Sequence, residues 1–162
     1  MKQIDAALLD SLTKKAQEAP RKRTHFNLHP ELNDPLQRLC VAIEPGSYIR
    51  PQQHADPATC EIFMLLRGSA VLLLFGESGR VADRVVLSGN GPVFLAEIPA
   101  KTLHAIASLE SGTVFFEVKQ GPYAQPKGDH VAAWAPEEGH AVVPRFIEWY
   151  CNAKVGDMPP RM

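Results

Sequence analysis

The chain has no long apolar run. Its longest stretches, 62–66 and 70–75, fall far short of the roughly 20 residues that cross a bilayer, so a transmembrane helix is not expected. Charge of either sign is not in excess: 17 Lys and Arg stand against 18 Asp and Glu, which leaves no basic surplus to neutralise a phosphate backbone. Nucleic acid is therefore excluded as an expected partner. Cysteine is sparse. Cys40, Cys60 and Cys151 are odd in number, far apart and without CxxC spacing, so they read as reduced thiols. The opening "MKQIDAALLDSL" interrupts its apolar residues with acids and lacks the apolar core of a secretory signal, which makes the cytoplasm the expected location.

What is present suits one globular domain, since 162 residues with 45% hydrophobic content can bury a real core. Over 4–18, Ile4, Leu8, Leu9, Leu12 and Ala16 recur at helical spacing, with Asp5 and Asp10 early and Lys14 and Lys15 late, as the helix dipole favours. This predicts an amphipathic helix ending before Pro20. From Leu36 onward the apolar residues form short runs cut by turn signals such as "GESG", "SGNG" and "ESG". About seven strands are expected, over 39–44, 61–66, 69–75, 80–87, 93–98, 104–109 and 113–119, a count that fits a sandwich or barrel. The Gly- and Pro-rich segment after Lys119 is expected to wrap this barrel, and "RFIEWYCNAK" to close the chain as a short helix. The fold class is thus all-β, with an arm over 1–35, a barrel over 36–120 and a wrapping segment over 121–162, all in one structural domain.

Chemistry in such a barrel must come from side chains that converge on its interior, and the six histidines are the first candidates. Strand side chains alternate faces, so a ligand set appears at strand ends and hairpin corners, not at helical spacing. His54 follows the turn "PGSYIRPQQ", and His104 ends "EIPAKTLH". Glu61 heads the apolar run "EIFMLL", where a buried carboxylate requires a partner and an exposed one is an ordinary strand-end charge.

The stretch from Gly46 through "SYIRP", Gln52-Gln53-His54 and Glu61 to Gly68 resembles the first motif of the cupins, and "GPVFLAEIPAKTLH" resembles the second. Along nearly its whole length the chain is similar to the WbuC-type cupin metalloproteins, through "RKRTHFNLH", "DPLQRL", "FEVKQGPY", "WAPEEG" and "RFIEWY". The resemblance implies a single cupin jelly-roll barrel with an N-terminal and a short C-terminal helix. It also implies one divalent metal ion (Zn, Fe, Ni or Mn) held by His54, Glu61 and His104, with position 52 as fourth ligand. Here that position is Gln52, a weaker donor than imidazole toward such ions; the gap from His54 to Glu61 is also longer than the common pattern, and Lys101 replaces the usual glycine. Homodimer formation and a place in surface-polysaccharide (O-antigen) biosynthesis are implied by the resemblance alone.

Two imidazoles and a carboxylate can hold one face of an ion and leave positions open for a small-molecule ligand. Around them, Arg23, Asn27, His29, Arg50, Lys119 and Tyr123 are the candidate substrate contacts, each with an ordinary structural role as the alternative. The basic residues among them point to a small, polar, anionic ligand, and the resemblance implies that it is a sugar-type metabolite. No catalytic residue is assigned. A metal-dependent enzyme, a binding module without turnover, and a metal-independent sugar isomerase using His54 or His104 with Tyr123 all remain open.

Overall fold

The computed structural model describes residues 1–54 and 60–162; most of the segment between His54 and Glu61 therefore lies outside the described residues. The first helix, α1 (Ala6–Glu18), starts where Asp5 accepts a hydrogen bond from the Leu8 N–H at 2.9 Å. It ends at Ala19, whose extended backbone is what a following Pro20 favours. Asp5→Ala should lower stability by about 1 kcal/mol, read as a fall of a few degrees in thermal melting; an unchanged Tm would show that the cap is dispensable.

Eight strands follow among the described residues: β1 (Arg23–Asn27), β2 (Leu36–Ile43), β3 (Glu61–Arg67), β4 (Ser69–Phe75), β5 (Val81–Ser88), β6 (Leu95–Ile98), β7 (Leu103–Ser108) and β8 (Thr113–Gln120). They form two antiparallel sheets, one ordered β1-β2-β8-β3-β6 and one ordered β5-β4-β7. Between β3 and β4 the chain turns at Gly68, with φ +74; a Cβ there would lie 2.6 Å from Thr113 Oγ1, so the position requires glycine on both conformational and steric grounds.

The two sheets enclose one core, in which Val41, Ile43, Phe63, Leu65 and Phe115 meet Ala70, Leu72 and Ile106. Each sheet is covered again on its outer face. Leu12 and Ala16 of α1 pack on Cys40, Ala42 and Val114 of the larger sheet. On the smaller sheet, Val71, Leu73 and Phe75 pack against Phe146 and Tyr150 of the second helix, α2 (Val143–Asn152). The almost unbroken apolar run "SAVLLLF" is explained by this layering: alternate residues of β4 serve the barrel interior and the C-terminal wrap, and all but Ser69 and Leu74 are buried. Among the described residues no helix is long and apolar enough to cross a membrane.

β1 is absent from the strands expected from sequence. Its residues, "RTHFN", carry polar groups at most positions and form an edge strand with one neighbour, β2, so no apolar run marks it. The pairing brings His25, Asn27 and, just beyond the strand, His29 to the side of the barrel where β8 ends.

Candidate metal centre

Glu61 is the first residue of β3 and is 2% exposed, with Lys119 of β8 directly across the ladder. His104, near the start of β7, is also buried. It is fixed by a two-way backbone bridge: Gln52 N–H donates to His104 O at 3.1 Å, and His104 N–H donates to Gln52 O at 3.0 Å. That bridge also places His54, two residues further on, over the same opening.

Three ligand atoms meet there. His54 Nε2 lies 2.9 Å and His104 Nε2 3.0 Å from Glu61 Oε2, and the three residues form a group able to hold a metal ion. Ligands at roughly 2.0–2.2 Å from a common ion and at right angles to one another stand about 3 Å apart, so these separations fit the donor set. The far side of His104 supports the same reading. Its Nδ1 lies 2.9 Å from the Thr102 carbonyl, an acceptor that requires a proton on Nδ1. In the neutral ring Nε2 then turns a lone pair toward the Glu61 carboxylate, an arrangement that needs a cation between them, either a proton or a metal ion.

The electrostatics agree. Burial alone would raise the Glu61 carboxyl, but hydrogen bonds from His104 and His54 and the charge of Lys119 together hold it well below the usual carboxylate range. Burial disfavours the charged form of His104, yet its hydrogen bond to the Glu61 carboxylate raises its proton affinity overall. Lys119 Nζ donates to Glu61 Oε1 at 3.0 Å and also to Glu117, and despite burial the two carboxyl groups raise its pKa. Glu117 is pushed up to about 8, first by burial and then by the nearby Glu61 charge.

Glu61, His104, Lys119 and Glu117 border a cavity of about 420 Å³ between the sheets, which is also lined by Gln52, Phe63, Phe115, Arg23 and His25. Gln52 thus lines the same cavity as two of the donors, Glu61 and His104. Gln52→His should tighten zinc binding by about 10-fold where the added imidazole reaches the ion, measured by competition with a metallochromic chelator. An unchanged constant would place position 52 outside the ligand set.

The other expected contacts separate into two groups. Arg23 and Arg21 both pair with Glu138, and Arg23 also donates to Tyr48 O, so they tie β1 to the C-terminal wrap. Arg50 donates twice to Ala132 O, at 2.9 and 3.1 Å, and is likewise engaged by the wrap. Asn27, His29, Lys119 and Tyr123 instead line one neighbouring cavity. His25, not singled out from sequence beyond being a histidine, lines both cavities; its two-residue spacing from Asn27 in "RTHFN" is the signal that places it on that face.

Residues 4–87 match the profile of a family described as a domain of unknown function, DUF6016. The chain belongs to the DUF6016 family. None of the curated proteins matches the sequence. Among solved structures, this DUF6016 chain is similar in fold to TT1209 from Thermus thermophilus, with a TM-score of 0.51, 19% identity, and coverage of 74% of this chain and 97% of that one. KdgF from Halomonas sp. aligns with a TM-score of 0.49 at 20% identity, over 65% of this chain and 84% of its own. A cupin superfamily protein from Desulfitobacterium hafniense aligns with a TM-score of 0.48 at 16% identity, over 60% of this chain and 76% of its own. The likeness is one of fold: this DUF6016 chain is a single jelly-roll barrel of two antiparallel sheets with a helix at each end.

Proposed function

We propose that the protein is a metal-binding cupin that takes a small polar, anionic, sugar-type metabolite at an open divalent centre. The observation that carries this reading is the convergence of His54, Glu61 and His104, two of which, Glu61 and His104, line a cavity wide enough for a small molecule. Two nitrogen donors and one carboxylate suit Zn, Fe, Ni or Mn, which accept mixed N and O ligands with positions left free. A bound ion would supply Lewis acidity, polarising a carbonyl or lowering the pKa of bound water. Glu61 and the two imidazoles would hold and orient that ion, and Lys119, paired with Glu61 and Glu117, fixes the carboxylate in place beside it. The resemblance to WbuC-type proteins supports a place in surface-polysaccharide biosynthesis, and the resemblance to cupins in general supports a homodimer.

The test is elemental analysis of the purified protein, followed by titration of sugar phosphates, nucleotide sugars and short carboxylic acids before and after chelation. About one ion per chain, with ligand binding or turnover lost on chelation, is expected. One observation favours a second reading, in which the pocket binds its ligand without metal: His54, His104 and Lys119 already satisfy both oxygens of Glu61. Binding that survives complete chelation would select that reading.

A further inference from the structure

A second cavity of about 400 Å³, lined by residues of β1 and the start of β2 and by Tyr123, adjoins the first at Glu117 and Lys119. It shares His25, Leu39, Glu117 and Lys119 with the metal cavity, so the two are neighbours across one set of side chains. His25, Asn27 and His29 follow one another at intervals of two residues and line it from one side.

Two polar atoms in this lining have no hydrogen-bond partner among the described residues although both are buried: Asn27 Oδ1 and His29 Nε2. His29 is 4% exposed. Its tautomer follows from its other nitrogen. The Arg38 backbone N–H lies 3.0 Å from Nδ1 and can only donate, so Nδ1 must accept and the ring proton belongs on Nε2. The Arg38 carbonyl is also 3.0 Å from Nδ1, but it already accepts from the Leu28 N–H at 2.8 Å. The lining therefore contains one unpaired N–H donor and one unpaired amide oxygen. Each such group is costly when buried alone, and a folded protein rarely tolerates one without a ligand or water to meet it.

The available cation does not make this an anion site, because the Lys119 ammonium is committed to Glu61 and Glu117. What remains is a neutral donor and a neutral acceptor on two residues that line one cavity. A hydroxyl group both accepts and donates, so a ring or chain bearing several hydroxyls can satisfy the two atoms together, whereas a carboxylate or phosphate would leave Asn27 Oδ1 facing another acceptor. We propose that this second cavity is the subsite for the uncharged, hydroxyl-bearing part of the ligand, whose acidic end lies at the His54, Glu61 and His104 centre. The inference rests on the functional reading above for the position of the acidic end, and on the orphaned pair for the chemistry of the other.

The experiment measures binding of neutral monosaccharides and linear polyols (glucose, galactose, N-acetylglucosamine, sorbitol) by ligand-observed NMR, with gluconate and inorganic phosphate as charged comparators. Native protein is set beside Asn27→Leu, His29→Leu and His29→Gln, and each is also titrated with zinc. At least one neutral hydroxyl compound is expected to bind saturably and to weaken by about 10-fold in Asn27→Leu and His29→Leu, as loss of one buried hydrogen bond predicts. His29→Gln, which retains an N–H donor, should recover much of the loss. Zinc affinity should be equal in all four proteins. Because Asn27→Leu removes an orphaned oxygen, its Tm should not fall, which keeps the test valid if His29→Leu folds poorly. Absence of saturable neutral binding, equal binding by Asn27→Leu and native protein, or a preference for phosphate over every hydroxyl compound overturns the proposal. Failure of the metal reading has a different signature: zinc would not bind, while the neutral compounds still would.

Discussion

Glu61→Gln is expected to lower zinc affinity by at least about 100-fold, more than any other single substitution at the centre. Outer partners of metal ligands already shift affinity by about 10- to 100-fold, and Glu61 supplies both the anionic ligand and the atom on which His54 and His104 converge. The substitution also acts on the metal-free protein. The carboxylate holds Lys119 and raises the proton affinity of His104, so its loss leaves the lysine with Glu117 as its one carboxyl partner at this site. Removing one member of a buried ionic set typically costs about 3–5 kcal/mol. With Glu117 retained, about 2–3 kcal/mol of stability loss is expected. Competition titration and denaturant unfolding measure the two effects. Zinc affinity within a factor of a few of native would show that Glu61 is not a ligand.

The second large effect is a stability optimum at mildly acidic pH in the metal-free protein, which zinc moves upward. Three groups set it. Glu61 is held below its ordinary range in the folded state, so its contribution is complete above the unfolded value near ~4.3 and is lost as pH falls below that. His104 is raised, so its contribution is complete below ~6.5 and is lost as pH rises through its folded value. Glu117, pushed up to about 8 by burial, retains a proton that the unfolded chain gives up near ~4.3, so stability falls between those two values. Unfolding free energy should therefore peak near about pH 5 and decline toward about pH 8. In Glu117→Gln that decline should shrink by on the order of 2 kcal/mol. Zinc competes with protons for neutral imidazoles, so it stabilises more strongly as pH rises and shifts the maximum to neutral pH or above. A metal-free protein whose Tm climbs steadily from about pH 5 to about pH 8 would contradict the assignment of Glu117 and His104.

The elements most legible in the sequence were those whose pattern repeats a local physical rule. The helical spacing of Leu8, Leu12 and Ala16 identified α1, and Asp5 marks its capped start. Turn signals such as "GESG" and "ESG" bounded the central strands because glycine is favoured where φ is positive, as at Gly79 and Gly112. β1 escaped because an edge strand with polar residues on both faces has no periodicity to show.

The sequence by itself determined the all-β class and the two end helices, and its resemblance to the cupin motifs named His54, Glu61 and His104, while leaving open whether Glu61 is a buried carboxylate with partners or a strand-end charge. Only the tertiary structure decided which polar residues share a space. Arg23 and Arg50 have the chemistry of ligand contacts, but the C-terminal wrap, far along the chain, takes their guanidinium groups with Glu138 and the Ala132 carbonyl. Asn27 and Lys119 are also far apart in sequence, yet β2 pairs with both β1 and β8 and brings them to one cavity. Local patterns fix what a residue prefers to do. Long-range strand pairing and the closure of the wrap fix which partner it meets, and hydrogen bonding and burial, which depend on that partner, decide which side chains are left free to bind.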